Sequence, residues 1–159
     1  MLGLVSAFAA VSTTGSASPI PFPDLVPAVL KISYSHDMWG VAEVELQDRK
    51  VIYKFSSITE GKKSGFVKPT IEEWSKFIAE LNAAKVYKWD DHYKGLRMAD
   101  DGGFYWSVEL QLGERRFISD GNTAFPTDGD LKSANDPKNY VSYEKFNQAV
   151  SRLIGHDFP

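Results

Sequence analysis

The most regular feature of the chain is an alternation of apolar and polar residues in several short segments. Val41 to Gln47 alternates in this way, which is typical of a strand with one buried face. Ala28 to Ser35 and Lys50 to Ser56, on either side of it, also read as strands, and Asp48-Arg49 supplies a short turn. Phe104 to Leu112 shows the longest alternation. We expect a three-stranded meander near the start of the domain and a long strand after its midpoint.

Turn and loop residues separate these strands from the rest of the chain. Gly113-Glu114 predicts a two-residue hairpin turn that joins the long strand to a further strand at Arg115 to Ser119. Ser57 to Lys68 contains two glycines and three lysines and predicts a mobile surface loop. Asp120 to Tyr140 is rich in Asp, Asn, Gly and Pro and predicts a long loop. Lys85 to Asp91 fits either a short strand or a loop.

Two segments predict amphipathic helices. Thr70 with Glu73 is a capping box, and Ser142 is expected to cap a second helix that ends at Gly155. The first helix carries an apolar stripe at helical spacing, formed by Ile71, Trp74, Phe77, Ile78 and Leu81. The order βββα-ββ(β)-α predicts an α+β domain in which two helices cover one face of an antiparallel sheet of five to six strands.

The first residues of the chain resemble a secretion signal. Leu2 to Val11 is an apolar run of about the length of a signal-peptide core, and Gly15 and Ala17 suit a cleavage site. The run is too short to span a bilayer, and no basic residue precedes it. We expect a signal-peptide-like segment at 1–17, a Pro-rich leader at 18–27 and a single α+β domain at 28–159. The protein would then be secreted or periplasmic, and cytoplasmic if the first segment is not a signal.

Composition excludes several classes of function. The chain has 159 residues, the size of one ordinary domain, with 43% hydrophobic and 25% charged residues, as in a folded soluble protein. Its 18 Lys and Arg residues against 21 Asp and Glu residues leave a net charge of -3, so no basic excess points to nucleic acid. The absence of cysteine excludes disulfides, thiol catalysis and cysteine-based metal sites.

A set of residues in the second half of the chain resembles a pattern found in uncharacterised small bacterial domains, often exported or lipid-anchored. The pattern covers about half of the chain and consists of Trp74, Val86 with Trp89, Tyr93, Asp101-Gly102, Trp106, Gly121-Asn122, Ala124-Phe125-Pro126 and the helix from Ser142. The chain departs from it by residues inserted before Trp106, by the segment 127–140 and by lacking a lipid-anchored cysteine. The resemblance implies this fold and a bacterial envelope setting, and it carries no known activity.

Aromatic and acidic residues define the predicted ligand site. Trp74 and Trp106 lie on apolar stripes and are expected in the core, whereas other aromatics stand beside polar residues, as in sugar-binding or protein-binding surfaces. Acids and an imidazole cluster near two strand ends, where turn chemistry and acid-base chemistry both use such residues. We predict a binding surface formed by Trp89 to Asp101 and the loop 120–140, with the ligand-binding residues Trp39, Trp89, Asp91, His92, Tyr93 and Asp101.

These features are more typical of a binding module than of an enzyme. The chain has no Gly-x-Ser-x-Gly elbow, no phosphate-binding glycine loop and no EF-hand spacing, so we predict no catalytic triad, no cofactor and no defined metal site, although calcium binding by the loop 120–140 stays open. We expect an exported binding or interaction module for a protein or carbohydrate ligand. Two alternatives remain: a small hydrolase that uses acids near Asp91 and Asp101, and a cytoplasmic inhibitor or immunity-type protein. Neither a nucleic-acid partner nor a membrane span is expected.

Overall fold

A computed structural model describes residues 26–38, 40–59, 61–95, 103–126 and 141–159. The signal-peptide-like segment, most of the Pro-rich leader, Trp39 and Asp101 lie outside the described residues. The elements are β1 (Val29–His36), β2 (Gly40–Gln47), β3 (Lys50–Ser57), β4 (Gly61–Val67), α1 (Ile71–Ala83), a 3-10 turn (Val86–Lys88), β5 (His92–Lys94), β6 (Phe104–Leu112), β7 (Arg115–Asn122) and α2 (Val141–Ile154).

The strands form one sheet in the order β4-β3-β2-β1-β6-β7-β5. Every neighbouring pair is antiparallel except β5 and β7, which run parallel. The α+β class with a mostly antiparallel sheet and two helices is therefore confirmed. The described part of the chain holds seven strands, so the predicted count of five to six was too low.

The two additional strands lie at the edges of the sheet. The predicted mobile loop at Ser57 to Lys68 was wrong, because its larger part forms β4 and pairs with β3 from Val51 with Val67 to Ser57 with Gly61. Lysine, which together with glycine suggested a loop, is also a residue that protects an edge strand from pairing with other chains. At the other edge, β5 pairs with β7 through only three residues. Such short edge strands carry no detectable periodicity.

The end of β7 also differs from the prediction. The strand continues through Asp120 to Asn122, so the long loop does not begin at Asp120. Its last residues pair with β6 on one side and with β5 on the other, which supplies a partner for their backbone groups. The remainder of the predicted loop, at 127–140, lies outside the described residues.

Local sequence explains the best-predicted features. Asp48 and Arg49 both adopt positive φ, as a two-residue turn between twisted strands requires. The capping box of α1 is present: the Glu73 N–H donates to Thr70 Oγ1 at 3.2 Å, and the Thr70 N–H donates to Glu73 Oε2 at 2.7 Å. The Thr70 N–H, and then the Thr70 hydroxyl, donate to the Glu73 carboxylate and lower its pKa. Ser142, by contrast, does not cap α2, because it lies within its first turn and its side chain is buried.

One face of the sheet and both helices share a single hydrophobic core. From α1 it includes Trp74, Phe77, Ile78 and Leu81, whereas Ile71 at the start of the helix is exposed. The buried residues of the sheet alternate along its strands and are Leu30, Ile32, Ala42, Val44, Val51, Tyr53, Trp106, Val108, Leu110 and Leu112. The opposite side, which we call the open face, carries the intervening residues. Among the residues described here, neither helix has the length and apolarity needed to cross a membrane.

Candidate functional site

Trp89, one of the predicted ligand residues, packs into an aromatic cluster at the edge of the core. Its ring centroid lies 5.7 Å from that of Trp106 and 5.3 Å from that of Phe146. Its indole Nε1 donates to Ser142 Oγ at 2.8 Å, and the Ser142 hydroxyl in turn donates to the Ala84 carbonyl. The serine therefore links the chain before β5 to the first turn of α2, and Trp89 is held from both sides.

Tyr93 anchors β5 from the same side of the sheet. Its ring is half-buried against Trp106, and its hydroxyl accepts the Asp90 N–H at 2.9 Å. Burial raises the pKa of this phenol. The Asp90 carbonyl accepts a hydrogen bond from Ser119 Oγ at 2.7 Å. The short strand β5 is thus fixed in place by side chains as well as by its backbone ladder.

Asp91 and His92 lie on the solvent side of this junction. The Asp91 carbonyl accepts the Asp120 N–H at 3.0 Å, and His92 Nδ1 donates to Asp120 Oδ1 at 2.6 Å. The His92 side chain is 71% exposed, against 27% for Asp120. His92 and Tyr93 are adjacent in sequence but point to opposite faces of the sheet, as strand geometry requires. Of the predicted site residues that the structure describes, Trp89 and Tyr93 therefore lie on one side of the sheet and His92 on the other.

The residues that do converge form two short rows on the open face. Cross-strand pairing places Ser107, Asp120 and His92 in one row, and Tyr105, Asn122 and Lys94 in the next. We call these six residues the edge platform. It spans two strand spacings by two residues along the strand, about 10 Å by about 7 Å. Its aromatic side chain, Tyr105, is 43% exposed. Burial, and then the charge of Asp120, raises the pKa of Tyr105.

The row formed by Ser107, Asp120 and His92 contains the residue types of a catalytic triad but lacks its geometry. In a triad the histidine stands between the serine and the acid. Here Asp120 stands between the other two, since it is paired with Ser107 on one side and with His92 on the other. The Ser107 hydroxyl is hydrogen-bonded at 2.7 Å to that of Ser33. The edge platform offers donors, acceptors and an aromatic ring to a bound molecule, but no activated nucleophile.

Metal binding has no support within the described ranges, where three or more His, Asp or Glu side chains nowhere come together. The hydrolase alternative needed a second acid beside Asp91, and that acid, Asp101, lies outside the described residues. Calcium binding was considered for the loop 120–140, of which only 120–126 is described. Asp120, the one acid in that part, is already bonded to His92.

Sequence reasoning covered part of the edge platform, because His92, Lys94, Asp120 and Asn122 lie in the predicted segments 89–101 and 120–140, but it missed Tyr105 and Ser107. The alternation of β6 already placed Tyr105 and Ser107 on the face opposite the core, so their exposure could have been inferred. Their proximity to His92 and Lys94 could not, because it depends on a parallel pairing between β5 and β7 that no local pattern indicates. His92 is the one edge-platform residue that the sequence analysis also named as ligand-binding.

Other exposed apolar residues on the open face are dispersed. Phe66 on β4 and Ile118 on β7 lie five strands apart, which corresponds to about 24 Å. Val41 and Tyr105 are closer, but Ser35 stands between them in the same row. A protein interface is usually built around a contiguous apolar centre. The open face has no such centre among these residues.

Paired charges occupy much of the rest of the open face. Arg116 donates to Glu109 at 2.7 Å, and Lys31 lies 3.9 Å from Glu45. The second pair lies in a depression of about 280 Å³ whose charged lining residues are two lysines and two glutamates. Because these charges balance in number and no aromatic ring lines it, the depression offers less to a ligand than the edge platform does.

The chain matches no family model, and no curated protein is significantly similar to it.

Proposed function

We propose that the protein is an exported binding module that holds a carbohydrate on its edge platform. The proposal rests on one observation: the exposed ring of Tyr105 lies on an open sheet face beside the polar side chains of Asp120, Asn122 and His92. An aromatic ring can cover the apolar face of a sugar, and neighbouring carboxylate and amide groups can bond its hydroxyls.

The rigidity of the edge platform supports the proposal. Tyr105 and Asp120 lie on long strands, and His92 is oriented by its hydrogen bond to Asp120. Tyr93 and Ser119 hold β5 in place from the core side of the sheet. Binding therefore orders few additional side chains, which limits the entropy lost on association. Export is part of the proposal and is supported by the apolar run and small residues at the start of the sequence.

The test is binding of soluble oligosaccharides of defined composition, screened on a glycan array and measured by isothermal titration calorimetry. We expect at least one glycan class to bind the intact chain, and Tyr105→Ala to weaken its affinity about tenfold or more, the effect of losing an aromatic contact of about 1.4 kcal/mol. Phe66→Ala is the matched control, because Phe66 is also an exposed aromatic on the open face but lies four strands from Tyr105. Its affinity should equal that of the wild type.

Two results would refute the carbohydrate assignment. One is the absence of glycan binding at millimolar ligand, and the other is an equal loss of affinity in the Tyr105 and Phe66 variants. The two alternatives predict different results: turnover of a bound glycan that Asp91→Ala abolishes would support the hydrolase. Recovery of full-length protein from the cytoplasm of the native host would favour the inhibitor or immunity-type protein.

A further inference from the structure

A second candidate site lies on the other side of the sheet, away from the edge platform. It is a cavity of about 520 Å³ at the end of the sheet that carries the β1–β2 and β3–β4 turns, and residues 155–159 form one of its walls. Pockets that bind small molecules in proteins usually have volumes of about 300 to 1,000 Å³. The size of the cavity is therefore suitable for a small organic ligand.

Three aromatic side chains contribute to the walls of the cavity, beside polar residues and glycines of the strand ends and the C-terminal segment. Tyr34 and Phe55 come from β1 and β3, and Phe158 closes the cavity from the C-terminal segment. The ring centroids of Phe55 and Phe158 are 6.4 Å apart. Phe158 is buried, and its backbone N–H donates to Ser151 Oγ at 2.9 Å, which holds the segment against α2. The aromatic walls are thus preformed.

One side of the cavity presents a cation whose charge is not neutralised. Lys63 Nζ lies 3.0 Å from His156 Nδ1, and His156 Nε2 lies 2.7 Å from the Tyr53 hydroxyl. Because an ammonium group can only donate, Nδ1 is the acceptor and Nε2 carries the proton donated to Tyr53. His156 accepts one N–H of Lys63 and brings no negative charge to it, so two N–H groups of Lys63 remain available.

Two further groups bear on the charge of the ligand. Asp157 also lines the cavity, but it makes no ion pair with Lys63, which has no carboxylate partner within the described parts of the chain. The Tyr34 hydroxyl makes no hydrogen bond to any residue that the structure describes, and the pKa of this phenol is raised by burial, so it remains a donor. A cation and a phenol donor beside aromatic walls suit a ligand with an anionic end and a flat apolar body.

We propose that this cavity binds a small aromatic carboxylate. Its ring would lie against the faces of Phe55 and Phe158 that line the cavity, and its carboxylate would accept hydrogen bonds from Lys63. The cavity and the edge platform lie on opposite faces of the sheet, so this site does not depend on the carbohydrate assignment.

The test compares phenylacetate and indole-3-acetate with phenylacetamide, which has the same ring but no charge. Binding to the intact chain is measured by ligand-observed NMR and isothermal titration calorimetry. Lys63→Met should weaken carboxylate binding about tenfold or more and change amide binding little, because it removes a charge-assisted contact and keeps the apolar stem. Lys62→Met is the matched control, since Lys62 is the preceding residue of β4 and faces the other side of the sheet. It should bind like the wild type.

Phe55→Leu extends the test to the walls and should weaken both aromatic ligands. Thermal unfolding checks that each variant remains folded. The proposal would be overturned if neither carboxylate bound at millimolar concentration, if the amide bound as tightly as phenylacetate, or if the two lysine variants lost affinity equally. Tyr105→Ala should leave carboxylate binding unchanged, which separates failure at this site from failure at the edge platform.

Discussion

Ser142→Ala is the substitution whose cost follows most directly from the structure. The Ser142 hydroxyl accepts a hydrogen bond from Trp89 Nε1 and donates one to the Ala84 carbonyl, and its side chain is 4% exposed. Alanine would leave both partners without a bond, and each buried group left unsatisfied costs about 1 to 3 kcal/mol. Trp89 is half-buried, so its N–H regains part of the loss from water. We therefore expect the free energy of unfolding to fall by about 3 kcal/mol.

Urea unfolding followed by tryptophan fluorescence and circular dichroism would measure this loss. For a domain of this size, it corresponds to a fall in Tm of about 6 to 12 °C. Ser56→Ala is the control, because Ser56 is exposed on the open face, and it should change the stability by less than about 0.5 kcal/mol.

A double-mutant cycle with Trp89→Phe separates the two hydrogen bonds. In the Trp89→Phe background the Ala84 carbonyl is the only group that Ser142→Ala leaves unpaired, so the serine substitution should cost about half as much. A Ser142→Ala variant within about 0.5 kcal/mol of the wild type would refute the linking role of this serine, since it would fall in the range of surface substitutions. So would full additivity of the two substitutions.

Two further predictions concern the fold. Thr70→Ala should cost about 1 kcal/mol at neutral pH, measured by urea unfolding, because it removes the N-cap of α1. The pKa of Glu73 is lowered in the folded state, so the stability that its carboxylate contributes to the capping box is fully present above the ordinary glutamate value of 4.5. This contribution is lost as the pH falls through the folded pKa. A destabilisation by Thr70→Ala that did not shrink in acid would contradict the role of the Glu73 carboxylate. Gly121→Ala should destabilise the protein by about 3 kcal/mol or prevent folding, because a Cβ there would collide with the Trp106 indole and the Ala124 carbonyl. Gly155→Ala is the control: its Cβ would meet no neighbouring atom, so it should cost less despite the positive φ of Gly155.

The predictable part of the fold is the part that local sequence encodes. Alternation fixed β2 and β6 because each buries one face, and a capping box fixed the start of α1 because its two hydrogen bonds are made between neighbouring residues. The edge strand β4 was missed because its partner is β3 and its own side chains are mostly exposed. Burial supplies the periodic signal, and an edge strand with little burial gives little signal.

The sequence predicted which segments lie near the candidate site but not which of their side chains form it. Sequence reasoning combined the Trp89 to Asp101 segment with the residues after Asp120, and the structure does bring His92 and Asp120 into contact. It could not assign faces, because the three-residue strand β5 is too short to show which of its residues point outward. Ser142 illustrates the same difficulty: a serine near the start of a helix suggests a cap, and only the tertiary structure shows that its hydroxyl bonds Trp89 and Ala84 instead.

Several residues of the sequence pattern in the second half of the chain differ in structural role from those proposed to bind ligands. Trp106 contacts both Trp89 and Gly121 on the core side of the sheet. Its indole also donates to the Ala124 carbonyl at 2.7 Å. Changing them alters packing and leaves polar groups unpaired. Tyr105, by contrast, projects from the open face, where substitutions usually cost little stability. Substitution of Tyr105 is therefore expected to change the proposed ligand binding with little change in stability, whereas substitution of Trp89, Trp106 or Gly121 is expected to disturb the fold.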